Sequence, residues 1–190
     1  MALDAESKRY TFSDYLEWPE NVRIELIDGA AVMMAPPSRA HQAASISLAS
    51  QLYNFLDGIP CKVYTAPFAV RLFEGINDAP EGVYTVVEPD ISVILGCDRL
   101  DKYGCKGAPD LVIEILSPST QRHDRVTKYY LYQRAGVKEY WIVGLEDMTV
   151  QIFALMGGIL RPVESYGKDE IAKSRVLEGC EIDLSKVFSE

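Results

Sequence analysis

The chain has 190 residues, 48% of them hydrophobic, and a formal net charge of −9 at pH 7. This length predicts one domain, residues 1–190, with a sizeable core, and the acidic balance argues against a broad nucleic-acid-binding surface, which needs lysines and arginines to displace counterions. No apolar run approaches the roughly 18 residues of a membrane span, and Met1–Arg9 is mixed and charged, unlike a secretory signal. The four cysteines contain no Cys-x-x-Cys pair, so we expect free thiols in a reducing cytoplasm; they are Cys61, Cys97, Cys105 and Cys180.

The first third of the chain is predicted to form two helices and a hairpin. In chain order these are a short helix at Thr11–Leu16, strands at Arg23–Ile27 and Ala30–Met34, and a long helix at His41–Leu56. Thr11 or Ser13 can cap the first helix and Ser38 can cap the second, because each hydroxyl can accept from the free amides of a first turn. Asp28-Gly29 predicts the hairpin turn, since both positions tolerate positive φ.

His41 opens the core-facing stripe of the long helix. The stripe continues at helical spacing with Ala44, Leu48, Leu52 and Phe55. A histidine in the first turn of a buried face can be a site residue, or it can be a hydrogen-bonded structural residue near a helix start. Both interpretations of His41 stay open at the level of sequence.

The rest of the chain is predicted to hold the main sheet. In chain order we expect strands Lys62–Thr65, Phe68–Leu72, Pro89–Leu95 and Leu111–Leu116, a helix Thr120–Ala135, a strand Lys138–Val143, a hairpin of Thr149–Leu155 and Ile159–Val163, a short strand Arg175–Leu177 and a terminal turn Leu184–Phe188. Gly96–Gly107 is predicted to be a polar, mobile loop. The four central strands are expected to be Phe68–Leu72, Pro89–Leu95, Leu111–Leu116 and Lys138–Val143. The fold class is therefore α/β, with a mixed sheet between helices and extra hairpins at both ends of the chain.

One predicted central strand contains a carboxylate. From Leu111 to Leu116 the chain is apolar on both faces except at Glu114, and prolines bound the run on each side. Such a run is typical of a strand covered on both faces. A carboxylate there is costly unless it is paired or bound to a metal. Glu114 is therefore a candidate functional residue; the alternative is a position where the sheet face reaches solvent.

Asp90 begins the strand that precedes the one holding Glu114. If the two strands are neighbours, their carboxylates can converge on one face. Two hard oxygen donors with open coordination positions suit Mg²⁺ or Mn²⁺. A nearby lysine could orient or deprotonate an attacking water, or neutralise charge developing on a phosphate.

The helix after Glu114 offers such a lysine. Asp124, Lys128, Leu131 and Ala135 share one face of Thr120–Ala135, and the two apolar residues indicate that this face looks inward. The alternative is an exposed Asp124–Lys128 ion pair, worth roughly a few tenths of a kcal/mol. The same region is rich in basic residues, which form either a local basic patch or an ordinary solvated helix face; they are Arg122, Arg125, Lys128, Arg134 and Lys138.

This pattern resembles the PD-(D/E)XK nuclease superfamily. Pro89-Asp90 matches its first half and Glu114-Ile115-Leu116 its second. More narrowly, the chain resembles a bacterial family, abundant in cyanobacteria, of putative restriction endonucleases with the Uma-type domain. The resemblance covers nearly the whole chain and is carried by Glu25-Leu26-Ile27-Asp28-Gly29, Pro36-Pro37-Ser38 with His41, Pro89-Asp90, the string from Pro109 to Thr120, Asp124, Lys128-Tyr129, Tyr132, and the string from Gly136 to Trp141.

The resemblance implies a restriction-endonuclease-like fold and a catalytic set of Asp90, Glu114, Lys128 and Glu25. Asp90 and Glu114 would ligate one Mg²⁺ or Mn²⁺, and Glu25 could add an acidic ligand. The lysine that the superfamily places two residues after the second carboxylate is Leu116 here, which cannot do acid–base work. Lys128 is the natural replacement, because a lysine moved to the following helix can bring its amine to the same place.

Three further residues are predicted to support this site, namely His41, Asp110 and Asp124. Asp110 is also an alternative first carboxylate, because it shares a strand face with Glu114. Asp90 is preferred because it comes from a second strand.

Two functions are compatible with the sequence. The retained Asp90, Glu114 and Lys128 favour a metal-dependent phosphodiesterase acting on DNA. The acidic net charge favours a non-catalytic binding or assembly module that keeps the nuclease fold. A homodimer is also predicted, because aromatic residues concentrate near one helix and strand; they are Tyr129, Tyr130, Tyr132, Tyr140 and Trp141.

Overall fold

The computed structural model describes residues 8–19, 22–74, 78–117 and 123–189. Its helices are α1 (Phe12–Glu17), α2 (Arg39–Phe55), α3 (Tyr129–Ala135) and α4 (Leu184–Val187), with a single 3₁₀ turn at Pro80–Gly82 and a π-helical turn at His123–Lys128 that leads directly into α3. The predicted start of the third helix at Thr120 lies outside the described residues. Thr11 and Ser38 are confirmed as caps: each side chain accepts from a first-turn amide, of Asp14 and of His41.

Fourteen strands are present in the described part of the chain. They are β1 (Ile24–Ile27), β2 (Ala30–Met33), β3 (Cys61–Thr65), β4 (Val70–Arg71), β5 (Val86–Val87), β6 (Ile91–Leu95), β7 (Leu100–Asp101), β8 (Gly104–Lys106), β9 (Leu111–Ile115), β10 (Glu139–Gly144), β11 (Thr149–Met156), β12 (Ile159–Gly167), β13 (Ile171–Lys173) and β14 (Glu181–Asp183). They form a central sheet in the order β12-β11-β10-β9-β6-β3, a second sheet in the order β2-β1-β5-β4-β8-β7, and the pair β13-β14. The predicted mixed α/β fold with added hairpins is confirmed.

The central sheet is buried on both faces because β9 and β10 are apolar on both faces. Leu111, Ile113 and Ile115 pack toward α2 and α4, in a cluster that includes Leu48 and Leu52. Val112 and its neighbours on β10 point to the other face, toward α3 and the second sheet. Strand alternation puts Glu114 on this second face with Val112. The buried carboxylate therefore lies between the central sheet, α3 and the second sheet.

Phe68–Leu72 was expected among the central strands, and this prediction was wrong. Within it only Val70–Arg71 is a strand, and it belongs to the second sheet, between β5 and β8. The edge of the central sheet is formed by β3 instead. Ion pairs stabilise this segment in the second sheet, because the Arg71 side chain is fully buried and pairs there with Glu74 and Asp101.

Gly96–Gly107 was predicted to be a loop, but it contains the hairpin of β7 and β8. The segment is polar, so no apolar alternation reveals it. Gly104 explains how the strand fits: its φ is 135°, and an added Cβ would lie 2.0 Å from the carbonyl oxygen of Ala69. Only glycine allows the two backbones to approach so closely.

Arg175–Leu177 was predicted to be the last strand, and this too was wrong. The backbone amides of Arg175 and Val176 donate to the carboxylate of Glu139, at 2.7 and 2.8 Å, rather than to a neighbouring strand. The last strands are β13 and β14, on either side of this segment. A side-chain acceptor on a distant strand has replaced strand pairing here.

The aromatic residues that motivated the homodimer mostly serve the core. Tyr132, Tyr140 and Trp141 are fully buried, whereas Tyr130 is 62% exposed. A core role accounts for those three, so they no longer favour an interface. None of the described helices is long and apolar enough to cross a bilayer.

Candidate active site

The antiparallel pairing of β6 with β9 brings Asp90 beside Glu114. Ile91 lies opposite Ile113 in the register, so the residue before one faces the residue after the other. The Asp90 amide donates to Glu114 Oε2 at 3.4 Å, and the Ile115 amide donates to Asp90 Oδ2 at 2.8 Å. Both carboxylates are thus tied to the ladder itself, which gives them little freedom to separate.

His41 reaches the same carboxylate from the first turn of α2. Ser38 caps this helix, and His41 Nε2 lies 3.1 Å from Asp90 Oδ2. The contact fits a proton on Nε2 donated to Asp90. In the described part of the chain His41 Nδ1 is buried without a hydrogen-bond partner. His41 therefore lies at the candidate site, and its contact with Asp90 is compatible with both interpretations, a site residue and a hydrogen-bonded structural residue.

Lys128 enters from the π-helical turn that precedes α3. Its Nζ lies 2.9 Å from Glu114 Oε1, 2.9 Å from Glu25 Oε1 and 3.8 Å from Asp124 Oδ1. The widened turn points both Asp124 and Lys128 inward, and single π turns of this kind often occur at functional sites. The Asp124–Lys128 pair is therefore buried, and the exposed alternative is excluded.

Glu25 brings the second sheet to the site. It lies on β1 and is buried, and its Oε1 accepts from the Glu88 amide at 2.9 Å as well as from Lys128. The hairpin of β1 and β2 thus contributes one of the carboxylates around the lysine. No local sequence signal relates this N-terminal strand to the helix after β9.

The charged groups in this cluster shift one another's pKa values. Burial raises the pKa of Glu114 well above its ordinary value, Lys128 opposes that rise, and Asp90, Asp124 and Glu25 add to it. Burial alone would lower the pKa of Lys128, but the carboxylates of Glu114, Glu25 and Asp124 outweigh it and hold the pKa well above normal. Lys128 is therefore an ammonium that neutralises part of an acidic cluster.

The cluster opens on a cavity of about 290 Å³. Six of the predicted site residues line it, namely Glu25, His41, Asp90, Glu114, Asp124 and Lys128, and the segment after β2 forms an apolar wall with Met33, Met34, Pro36 and Pro37. A substrate group of modest size could therefore reach the carboxylates directly.

The carboxylates of this cavity fit a hard divalent cation. Within residues 8–19, 22–74, 78–117 and 123–189, no three His, Cys, Asp or Glu side chains form a ready metal cage. Mg²⁺ does not need one, because it usually keeps several waters and binds through one or two carboxylates together with substrate phosphates. Asp90 and Glu114 would be those two ligands, because both residues line the cavity and Oε2 of Glu114 lies 3.4 Å from the Asp90 amide.

Asp110 lies elsewhere. It immediately precedes β9, at the far end of the ladder from Glu114, and its carboxylate pairs with Arg99 and with Lys138 at 2.8 Å. It also accepts from the Leu95 amide at 2.8 Å. Asp110 therefore does not join Glu114 at the cavity, and it contacts none of the site residues directly. The two residues share a strand face, as predicted, but three residues of β9 lie between them.

The predicted basic patch does not form among the residues that the structure describes. Lys128 is buried, Arg125 hydrogen-bonds Gln151, Arg134 pairs with Asp28, and Lys138 pairs with Asp110. Arg122 lies outside the described residues. These side chains reach different neighbours, so the cluster in sequence is not a cluster in space.

Sequence reasoning missed one residue that contacts the site. The hydroxyl of Tyr132 donates to Glu114 Oε1 at 2.5 Å and is fully buried. Burial raises the pKa of Tyr132 well above its ordinary value, and Glu114 and Glu25 add to the rise, so the hydroxyl stays a donor. Its spacing was a usable signal, because Tyr132 follows Lys128 by one helical turn and shares its face.

Comparisons with known proteins show the fold and the family of the chain. The structure is similar to the crystal structure of a putative nuclease belonging to DUF820 from Anabaena variabilis, with a TM-score of 0.72 and 19% identity, covering 95% of this chain and 98% of that one. An uncharacterized protein of Synechocystis sp. is 30% identical over 145 residues, which is 74% of this chain and 71% of the relative. The family model of Uma2, described as putative restriction endonuclease, matches residues 12–185. With nearly the whole chain matched, the protein belongs to the Uma2 family of putative restriction endonucleases.

Proposed function

We propose that this protein is a divalent-metal-dependent phosphodiesterase that hydrolyses DNA. The observation that carries the proposal is the placement of Asp90 and Glu114 across one antiparallel ladder, with the Lys128 ammonium 2.9 Å from Glu114 and all three groups on one cavity. Families of restriction endonucleases act on DNA, so the family supports the substrate.

Each side chain has a part in this proposal. Asp90 and Glu114 would hold Mg²⁺ or Mn²⁺, which when bound supplies a Lewis acid and lowers the pKa of an attacking water. Lys128 lines the cavity as a cation and can neutralise negative charge that develops on a phosphate. Glu25 and Asp124 hold Lys128 in place, at 2.9 and 3.8 Å.

A second candidate is a binding or assembly module with no catalytic activity. The observation that favours it is the net charge of −9, which opposes the approach of a polyanion. It differs from the first in metal binding: a scaffold has no need for a cation between Asp90 and Glu114. Metal affinity therefore tests the metal site before any substrate is chosen, and DNA hydrolysis then separates the two candidates.

The test is a Mn²⁺ and Mg²⁺ titration by calorimetry on the parent, on Glu114→Gln and on Glu139→Gln. Glu139 is the matched control, because it is a buried carboxylate on the adjacent strand that is bonded to Trp141 and to backbone amides. We expect Glu114→Gln to lose at least about tenfold in metal affinity, while Glu139→Gln binds metal like the parent. A nicking assay on supercoiled plasmid with each metal then measures hydrolysis.

Two results would contradict the proposal. Equal metal affinity in Glu114→Gln and the parent would remove the metal site. A parent protein that binds metal at this site but nicks neither plasmid nor oligonucleotide DNA would leave the scaffold as the better account.

A homodimer and a cytoplasmic location stay predictions. The four free cysteines suit a reducing compartment. Light scattering at micromolar concentration measures the oligomeric state directly, and a monomer there would reject the dimer.

A further inference from the structure

The two oxygens of Glu114 have unequal partners. Oε1 accepts from Lys128 Nζ at 2.9 Å and from the Tyr132 hydroxyl at 2.5 Å. Within the described residues, Oε2 accepts one bond, the long one from the Asp90 amide at 3.4 Å. Since a carboxylate has about four lone-pair positions, Oε1 is largely occupied and Oε2 keeps room for a cation.

The two donors on Oε1 differ in how many acceptors they share. The Lys128 amine lines the cavity and is divided among Glu114, Glu25 and Asp124. Tyr132 is fully buried in the apolar cluster with Val112, and its ring packs edge-on against Tyr140 at a centroid distance of 5.0 Å. Its hydroxyl donates to Glu114, and this packing keeps it there.

We propose that Tyr132 is a positioning residue that holds Glu114 so that Oε2 faces Asp90 and the metal. Lys128 cannot do this alone, because its amine is shared with Glu25 and Asp124. The single hydroxyl proton of Tyr132 is donated to Glu114, and it therefore fixes the carboxylate. The inference deepens the proposed function and rests on it.

Tyr140 offers a matched control for this role. It is also fully buried, lies in the same cluster and loses one hydroxyl on replacement by phenylalanine. Its hydroxyl, however, donates to the backbone carbonyl of Asp124 at 3.1 Å and not to Glu114. Any loss that comes only from removing a buried hydroxyl should therefore be shared by Tyr140→Phe.

The experiment compares Mn²⁺ affinity in the parent, Tyr132→Phe and Tyr140→Phe by calorimetry, with the melting temperature of each. We expect Tyr132→Phe to lose about 10- to 100-fold in affinity, the usual effect of removing a partner of a metal ligand. Tyr140→Phe should keep the affinity of the parent despite a similar fall in melting temperature. The Cζ signals of Tyr132 and Tyr140 are assigned in uniformly ¹³C-labelled parent protein by through-bond correlation, so neither variant is needed to identify them.

The parent protein gives a second readout that does not depend on whether Tyr132→Phe folds. Saturating Mg²⁺ should shift the Cζ signal of Tyr132, because the metal withdraws charge from the carboxylate that accepts its proton. The signal of Tyr140 should move less.

The inference is overturned if Tyr132→Phe binds Mn²⁺ as tightly as the parent, if Tyr140→Phe loses as much, or if the Tyr132 signal is unmoved at saturating Mg²⁺. A parent that binds no metal overturns the proposed function and this inference together. If the parent binds metal and Tyr132→Phe weakens it, but no DNA is cleaved, the positioning role stands and only the nuclease activity fails.

Discussion

The β6–β9 ladder carries a Pro-Asp pair at each end, and the two ends are built differently. The site end holds Asp90, Glu114, Glu25, Asp124 and Lys128, and the anchor end holds Asp110, Glu139, Arg99 and Lys138. At the site end, three carboxylates share Lys128, Asp90 contacts His41, and all of these groups line one cavity. At the anchor end each carboxylate has its own donors: Asp110 has two cations, and Glu139 has the Trp141 indole and two backbone amides.

The difference separates a candidate functional carboxylate from a structural one. A position after proline is common to both aspartates, and Asp90 is the more exposed of the two. What distinguishes the site end is an excess of negative charge that the protein itself does not neutralise. A cation bound there would be stabilised by that excess. The anchor end has no such excess, so its carboxylates only hold the fold.

The largest expected difference between the ends is in turnover. Asp90→Asn should lower plasmid nicking by at least about 100-fold, the usual scale for removing a group that stabilises charge at a reacting centre. Asp110→Asn should keep the nicking rate of the parent, because Asp110 pairs with Arg99 and Lys138 away from the cavity. The check is a time course with Mn²⁺ at equal protein concentration; equal losses in both variants would break the distinction between the ends.

Removing the lysine of each end should affect stability very unequally. Lys128→Met leaves buried carboxylates without their cation and should lower the free energy of unfolding by about 3–5 kcal/mol in the absence of metal. Lys138→Met should change it by no more than about 1 kcal/mol, because the Lys138 side chain is 61% exposed and Asp110 keeps Arg99.

Urea unfolding with and without Mn²⁺ measures both lysine variants. Mn²⁺ should restore more stability to Lys128→Met than it adds to the parent, since the metal replaces the missing charge. Equal effects of Mn²⁺ on the two variants would show that the site end has no special need for a cation.

Neutralising the buried glutamates should have the opposite effect on stability: the anchor end should lose more unfolding free energy than the site end. Glu139→Gln puts an amide among three N–H donors, and the unmade bonds should lower the free energy of unfolding by about 1–3 kcal/mol. Glu114→Gln should cost less, because its amide oxygen can still accept from Lys128 and Tyr132 and one of several like charges is removed. Thermal and urea unfolding of the two variants without metal provide the comparison, and a larger loss in Glu114→Gln would reverse it.

The smallest expected effect concerns pH: the contribution of Asp110 to the free energy of unfolding should fall in acid. Burial raises the pKa of Asp110, but hydrogen bonds from Lys138, the Leu95 amide and Arg99 outweigh it and hold the pKa below its usual value. Asp110 therefore stabilises the fold fully above its unfolded pKa of about 3.9, and this contribution is lost as the pH falls through the lower folded value.

The difference in unfolding free energy between the parent and Asp110→Asn should accordingly shrink below about pH 4. Unfolding curves between neutral and acidic pH measure it. A difference that stays constant over this range would mean that the Asp110 charge is not what stabilises the anchor end.

Much of the site was predictable because its residues lie in strongly patterned segments. The apolar run of β9 identified Glu114, and the inward stripe of α3 identified Lys128. The second sheet was not predictable in the same way, since β4, β5 and β7 have only two residues each and show no period. Tyr132 was overlooked because an aromatic residue on an inward helix face is explained equally well by packing.

The sequence by itself determined the family, the apolar strands and the types of side chain available for chemistry, because each of these is expressed within a few neighbouring residues. Only the tertiary structure decided which Pro-Asp pair joins Glu114. Strand periodicity tells which face a side chain occupies, but the antiparallel direction and register of β6 against β9 come from long-range pairing. The same long-range packing brought Glu25 from the first hairpin to Lys128, and so assembled the acidic cluster.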